Sequence, residues 1–167
     1  MLPALLPAIV LAAATSGSPA AVEVNVTDLA GIRAAVAAPG ATAVLVTIWA
    51  TWCDACRDEM PALLRFFHAH QPKGLRLILV SADDEDQRDQ VALFLRAAGA
   101  QGAQAFIKQG DNETFVNAFD PSWTGAIPAS FLYDSAGVKQ RAWSGAVTPK
   151  ELEAALRKVK KPTKGKP

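Results

Sequence analysis

Cysteine is scarce in this chain: 167 residues hold only two, Cys53 and Cys56, three positions apart. A disulfide scaffold needs several pairs spread along the chain to close long loops, so stability has to come from a packed core. The two thiols are therefore a local device. An excess of charge of one sign is lacking too. Seventeen basic and sixteen acidic side chains leave a formal net charge of +1, without the positive field that would draw nucleic acid or an anionic membrane surface. No nucleic acid is expected as a partner; small near-neutral molecules or other proteins fit better. The two histidines, His68 and His70, lie two apart on a predicted helix and point to different faces. With no second cysteine pair, they cannot easily complete a tetrahedral zinc site, and they read as solvated helix residues. Internal repeats and interdomain linkers are also missing, and at this length with half the residues hydrophobic the expectation is one domain with a sizeable core.

The first twenty residues stand apart. Leu2 to Ala14 is almost wholly apolar and is followed by the small, turn-prone run Thr15-Ser16-Gly17-Ser18-Pro19-Ala20. This pattern reads as a secretory signal peptide, with Ser18 and Ala20 as the small residues before a cut after Ala20. The apolar stretch is shorter than the roughly 18 residues of a membrane span, and Pro3 and Pro7 argue against an uncleaved anchor, so no stable span is expected. The positive charge usual at the start of such a leader is absent up to Arg33.

Downstream, periodicity organises the chain. Val22 to Val26 alternates like a strand, and Thr27-Asp28 caps a short helix with Leu29, Ile32 and Val36 on one face. Ala43 to Trp49 is a nearly continuous, β-branched apolar run, suited to a strand buried on both faces. Met60, Leu63, Leu64 and Phe67 recur at helical spacing between Cys53 and His70, with Pro61 inside, where it should kink the helix. Leu75 to Val80 is a second buried strand, which completes a right-handed βαβ unit with parallel strands. The acidic run Asp83-Asp84-Glu85-Asp86 precedes a helix carrying Val91, Phe94, Leu95 and Ala98 on one face, and reads as dipole-favoured charge at its N-terminus. Ala105-Phe106-Ile107 suggests a short strand and Glu113 to Phe119 a short helix. Ile127 to Tyr133 and Val138 to Trp143 form a predicted hairpin with a four-residue loop. Thr148-Pro149-Lys150-Glu151 is a capping box opening a last helix, with Leu152, Ala155, Leu156 and Val159 inward.

The chemistry sits in Trp49-Ala50-Thr51-Trp52-Cys53-Asp54-Ala55-Cys56, two thiols one helical turn apart where a buried strand meets a helix. Only the thiolate attacks a disulfide, and unpaired amides at a helix N-terminus stabilise it. Cys53 is thus the expected attacking sulfur, and Cys56, one turn deeper, can reach back to break the mixed disulfide. The same spacing is half of a zinc knuckle, and a purely structural short-loop disulfide is the other alternative.

Two segments carry a resemblance. The run from Trp49 through Arg57-Asp58-Glu59-Met60-Pro61 is similar to the active-site segment of the thioredoxin superfamily, in its extracytoplasmic TlpA-like and ResA-like branch. Gly125-Ala126-Ile127-Pro128-Ala129-Ser130-Phe131-Leu132-Tyr133-Asp134-Ser135-Ala136-Gly137 resembles the second hallmark of that branch. The resemblance spans residues 22 to 160 and implies an α/β fold, a thioredoxin-like three-layer sandwich with a mixed central sheet. It implies Cys53 as nucleophile, Cys56 as resolving thiol and Trp52 as an aromatic flank of the site. Pro128 matches a cis-proline facing the cysteines, beside Ile127, whose backbone would pair with substrate. Glu59 matches an acidic residue near the deeper cysteine, against the alternative of a solvated helix residue; for Trp49, core packing is the better reading. One departure matters: thioredoxin carries a buried Asp six residues before its first cysteine, where this chain has Thr47.

Together with that resemblance, these features lead to the expectation of a thiol-disulfide oxidoreductase, with a signal peptide at 1–20, a thioredoxin-like domain at 21–160 and a basic, disordered tail at 161–167. It is expected to act in the periplasm or another extracytoplasmic space as a monomeric reductant of protein disulfides, re-reduced by an upstream electron donor. No cofactor and no metal are required. The rival is a soft-metal (copper) binder on the same fold, since paired thiolates favour such ions, though a third ligand is not evident. A peroxidase is a further rival, but a peroxiredoxin-like site would place a threonine three residues before its cysteine, where Ala50 stands.

Overall fold

Ala43–Trp49 (β2) is buried at every position, in keeping with a sequence that is apolar at all positions but Thr47. Burial of each Val, Leu or Ile side chain in such a strand stabilises the fold by about 1.5 to 3 kcal/mol. Around it, the computed structural model, which describes residues 22–159, assembles the chain in the order β1 (Val24–Thr27), α1 (Leu29–Ala37), β2, α2 (Asp54–His70), β3 (Leu75–Ser81), α3 (Arg88–Ala98), β4 (Gln104–Lys108), α4 (Asn112–Phe119), β5 (Ala129–Asp134), β6 (Lys139–Ser144) and α5 (Pro149–Leu156). The leader over residues 1–20 and the tail over 161–167 lie outside the described residues.

The six strands form one sheet in the order β1-β4-β3-β2-β5-β6. β1, β4, β3 and β2 run parallel, β5 pairs antiparallel with β2, and β6 pairs antiparallel with β5. Two apolar cores lie on its two faces. One takes Met60, Leu63, Leu64 and Phe67 of α2, Val91 and Leu95 of α3 and Leu152 of α5. The other takes Ile32 and Val36 of α1 and Phe115 of α4, with Trp123 and Phe131. This is the three-layer α/β sandwich with a mixed sheet of the thioredoxin type. The parallel strands all end at the same edge of the sheet, and the antiparallel β5 begins there, so their loops converge on one end.

Local signals set the helix ends. Asp28 accepts from Gly31 N–H at 2.8 Å ahead of α1, and the Thr148–Glu151 capping box with Pro149 opens α5. The helix α2 runs continuously through Pro61, which is exposed. Differences from expectation come from long-range contacts. β5 starts after Pro128 rather than at Ile127. His70 is not solvated: its side chain is 14% exposed, with Nε2 2.8 Å from the Glu153 carboxylate, so it ties α2 to α5. His68 is exposed, with Nε2 2.8 Å from the Gly99 carbonyl oxygen.

Candidate redox site

The strand β2 ends at Trp49, and the chain turns through Ala50–Cys53, closed by Cys53 N–H donating to the Ala50 carbonyl at 3.2 Å. Cys53 is the N-cap of α2, in extended conformation, and its Sγ accepts from Cys56 N–H at 3.2 Å. The two cysteines form a disulfide with Cα atoms 5.2 Å apart. Their exposure separates them: Cys53 keeps 8% of its surface and Cys56 none. Trp52, 61% exposed, stands beside it. Trp49 is fully buried against Phe94, with ring centroids 5.1 Å apart, and belongs to the core.

The second segment reaches the same end through sheet register. Ile48 pairs with Ala129, which brings Pro128 alongside the end of β2 where the cysteine turn begins. The Ile127–Pro128 peptide bond is cis; Pro128 is buried and Ile127 half-buried. This loop is held by Trp123, whose indole N–H donates to the Ala126 carbonyl at 2.8 Å while its ring packs edge-on against Phe131. Gly125 adopts φ +85°, and a Cβ there would come within 3.1 Å of Val116, so the loop needs glycine at that position. Trp123 was not singled out in the sequence, although an aromatic four residues before the Ile127–Pro128 pair is a signal that could have found it.

Glu59 lies one turn beyond Cys56 on α2 and is half-buried. Its carboxylate accepts from Val147 N–H at 3.0 Å, just ahead of the α5 cap. Burial pushes its carboxyl up to about 7 from an ordinary 4.5, partly offset by the Val147 bond. It is therefore not a solvated helix residue. Asp54, between the cysteines, has a side chain 91% exposed and pairs with Arg57 at 3.4 Å. The buried position six residues before Cys53 is filled by Thr47, whose hydroxyl bonds Ser130 at 2.9 Å across β2 and β5.

Asp83, with Thr51 and Ser81 bonded to it, also borders the cysteine turn. Asp83, read from sequence as part of a helix-start charge cluster, is 1% exposed. Its Oδ2 accepts from Thr51 N–H at 2.9 Å and its Oδ1 from the Thr51 hydroxyl at 2.5 Å. Ser81 O–H also donates to Oδ2. The helix-start role falls instead to Asp84, which caps a short turn of helix at Glu85–Gln87. The signal that could have found Asp83 is Ser81-x-Asp83 at a buried strand's end, a spacing at which a serine and an acid bond locally. Among the described residues, no three or more His, Cys, Asp or Glu side chains gather to hold a metal ion, and nothing favours the soft-metal reading.

Residues 19–141 match the AhpC/TSA family model. The chain is 28% identical over 134 residues to the thiol-disulfide oxidoreductase ResA of Bacillus anthracis, an alignment covering 80% of this chain and 73% of the relative. Among solved structures, a thiol:disulfide interchange protein of the thioredoxin family from Chlorobium tepidum superposes with TM-score 0.58 at 19% identity, covering 75% of this chain and 83% of that one. A secreted disulfide oxidoreductase of Mycobacterium tuberculosis superposes with TM-score 0.53 at 16% identity, covering 71% and 82%. These two structures share the fold. With a disulfide-linked pair at the head of α2 and a family match over most of its length, the chain belongs to the AhpC/TSA family and is a thiol-disulfide oxidoreductase of thioredoxin fold.

Proposed function

We propose that the protein reduces protein disulfides outside the cytoplasm, with Cys53 as nucleophile and Cys56 as resolving thiol. The observation that carries this is the unequal exposure of the two sulfurs at the N-terminus of α2, Cys53 reachable and Cys56 fully buried. In the reduced protein, the Cys53 thiolate attacks one sulfur of a substrate disulfide; an S–S bond forms, the substrate S–S bond breaks, and one substrate thiolate leaves and takes up a proton. Cys56, deprotonated, then attacks Cys53 Sγ and expels the second substrate thiolate. Two electrons pass to the substrate, and the Cys53–Cys56 disulfide is left. A dithiol donor must return those electrons, because an oxidising compartment would otherwise keep the pair oxidised.

Glu59 is the proton acceptor for Cys56: three residues on along α2 it lies on the same side of the helix, and a carboxyl titrating near neutrality can take and return a proton at working pH. Trp52 supplies an exposed apolar flank, and Ile127, ahead of Pro128, offers backbone to an extended substrate segment. The polypeptide works as a monomeric domain over residues 21–160, exported by the leader at 1–20; the leader's composition and the secreted Mycobacterium tuberculosis protein of the same fold support the export. No helix among the described residues is long and apolar enough to cross a membrane. The test is turnover of a protein disulfide with a small dithiol as donor, together with equilibration against glutathione. No turnover, or a potential near that of a strong oxidant, would reject the reading.

A further inference from the structure

We propose that Asp83 is a positioning residue for the redox pair: from the end of β3, its buried carboxylate clamps the Thr51 turn and so holds Cys53 Sγ against the first amides of α2 when the disulfide is open. This rests on the reading of Cys53 as the attacking thiol.

A carboxylate 1% exposed is costly unless its oxygens are satisfied, and here both are. Two of its bonds come from one residue, the Thr51 amide at 2.9 Å and the Thr51 hydroxyl at 2.5 Å. The Asp83 side chain is itself fixed by Ser81, whose hydroxyl donates to Oδ2 and accepts from Asp83 N–H at 3.0 Å. One residue earlier, just past the end of β3, Ala82 N–H donates to the Trp49 carbonyl at 2.8 Å. The connection after β3 therefore grips the cysteine turn at Trp49 and at Thr51, two residues before Cys53. In the oxidised protein the Cys53–Cys56 bond also restrains that turn. Reduction removes this covalent restraint, and the clamp is then what keeps Sγ near Cys56 N–H, 3.2 Å away in the disulfide form. Thiolate stabilisation by helix-terminal amides falls off over a short distance, so a loosened turn leaves Cys53 less ionised and less reactive.

Charge and clamp act in opposite directions, which makes them separable. The negative charge of Asp83 by itself disfavours a nearby thiolate, so loss of charge alone would raise Cys53 reactivity, whereas loss of the clamp lowers it. Thr51→Val removes the hydroxyl bond without touching any charge, and Thr51→Ser restores it. The full chain is reduced, alkylated with iodoacetamide at pH 7, and the labelled cysteine mapped by mass spectrometry; the glutathione equilibrium and the melting temperature of the oxidised form are measured alongside. Thr51→Val and Asp83→Ala are expected to slow Cys53 alkylation by about threefold to tenfold and to shift the glutathione equilibrium toward the protein disulfide, with Thr51→Ser close to wild type. Unchanged alkylation and equilibrium in Thr51→Val, with only a lower melting temperature, would overturn the proposal, as would faster alkylation of Asp83→Ala. If Asp83→Ala does not fold, the Thr51 pair decides. Preferential labelling of Cys56 in the wild type would instead overturn the nucleophile assignment.

Discussion

Glu59 and Val147 are joined across 88 residues: the Glu59 carboxylate, one turn below the buried Cys56, accepts the backbone N–H of Val147 at 3.0 Å. The redox helix α2 and the segment leading into α5 thus meet at a carboxyl that titrates near neutrality.

Stability should depend on pH through Glu59. Its folded carboxyl titrates about 7 against an ordinary 4.5, so between these values the native state holds a proton that the unfolded chain has lost. That contribution is fully present below pH 4.5 and is lost as pH rises through 7. Glu59→Gln keeps an oxygen for Val147 N–H and has no charge to bury. It should match wild type in acid and exceed it above neutrality by about 1 to 2 kcal/mol, after allowance for solvent screening at a partly exposed site. Urea unfolding from pH 4 to 9 checks this; a difference that does not vary with pH would refute it.

The two cysteines should fail differently. Cys53→Ser is expected to abolish reduction of a protein disulfide, because the remaining sulfur is fully buried. Cys56→Ser should still attack but not resolve, and should accumulate mixed disulfides visible on non-reducing gels. Mixed disulfides in the Cys53→Ser variant instead would invert the roles.

Redox poise should answer to Glu59 more than to Asp54. Both carboxylates disfavour a neighbouring thiolate when ionised, but Asp54 is 91% exposed and paired with Arg57, so water and the guanidinium blunt its field. The pair is expected in the lower half of the range from about −120 mV for a strong oxidant to about −270 mV for thioredoxin. At pH 8, Glu59→Gln should raise the potential by about 15 to 30 mV, a roughly threefold to tenfold change in the glutathione equilibrium, and Asp54→Asn by less. A larger shift from Asp54→Asn would defeat this ranking.

Thr47 and Ser130 should behave as a coupled pair. Each hydroxyl is buried and bonded to the other at 2.9 Å, so Thr47→Val or Ser130→Ala strands a partner and should cost about 1 to 3 kcal/mol. The double variant strands neither and should cost less than the sum, read by denaturant unfolding. Simple additivity would mean that the bond contributes nothing.

Much of this architecture was legible in the chain itself because its causes are local. The nearly continuous, β-branched apolar run Ala43–Trp49 reads as a buried strand. Asp28, Thr148 and Pro149 mark helix starts by groups within a few residues, and Cys53 and Cys56 announce exchange chemistry by their spacing at a strand-to-helix junction. Short amphipathic pieces were vaguer: the β4 strand was visible only as Ala105-Phe106-Ile107, since five residues leave little pattern to read.

What the chain alone could not decide are the partners that register brings from afar. Glu59 meets Val147, Asp83 grips Thr51 from 32 residues away, His70 meets Glu153, and Thr47 finds Ser130 only because β2 and β5 pair antiparallel in that alignment. Burial was equally out of reach, and it separates Asp83 from the exposed acids that follow it, and Glu59 from Asp54. A side chain's exposure depends on every element packed over it, so residues alike in sequence become a buried clamp, a titrating carboxyl or a solvated charge only when the sheet and its two helical layers close around them.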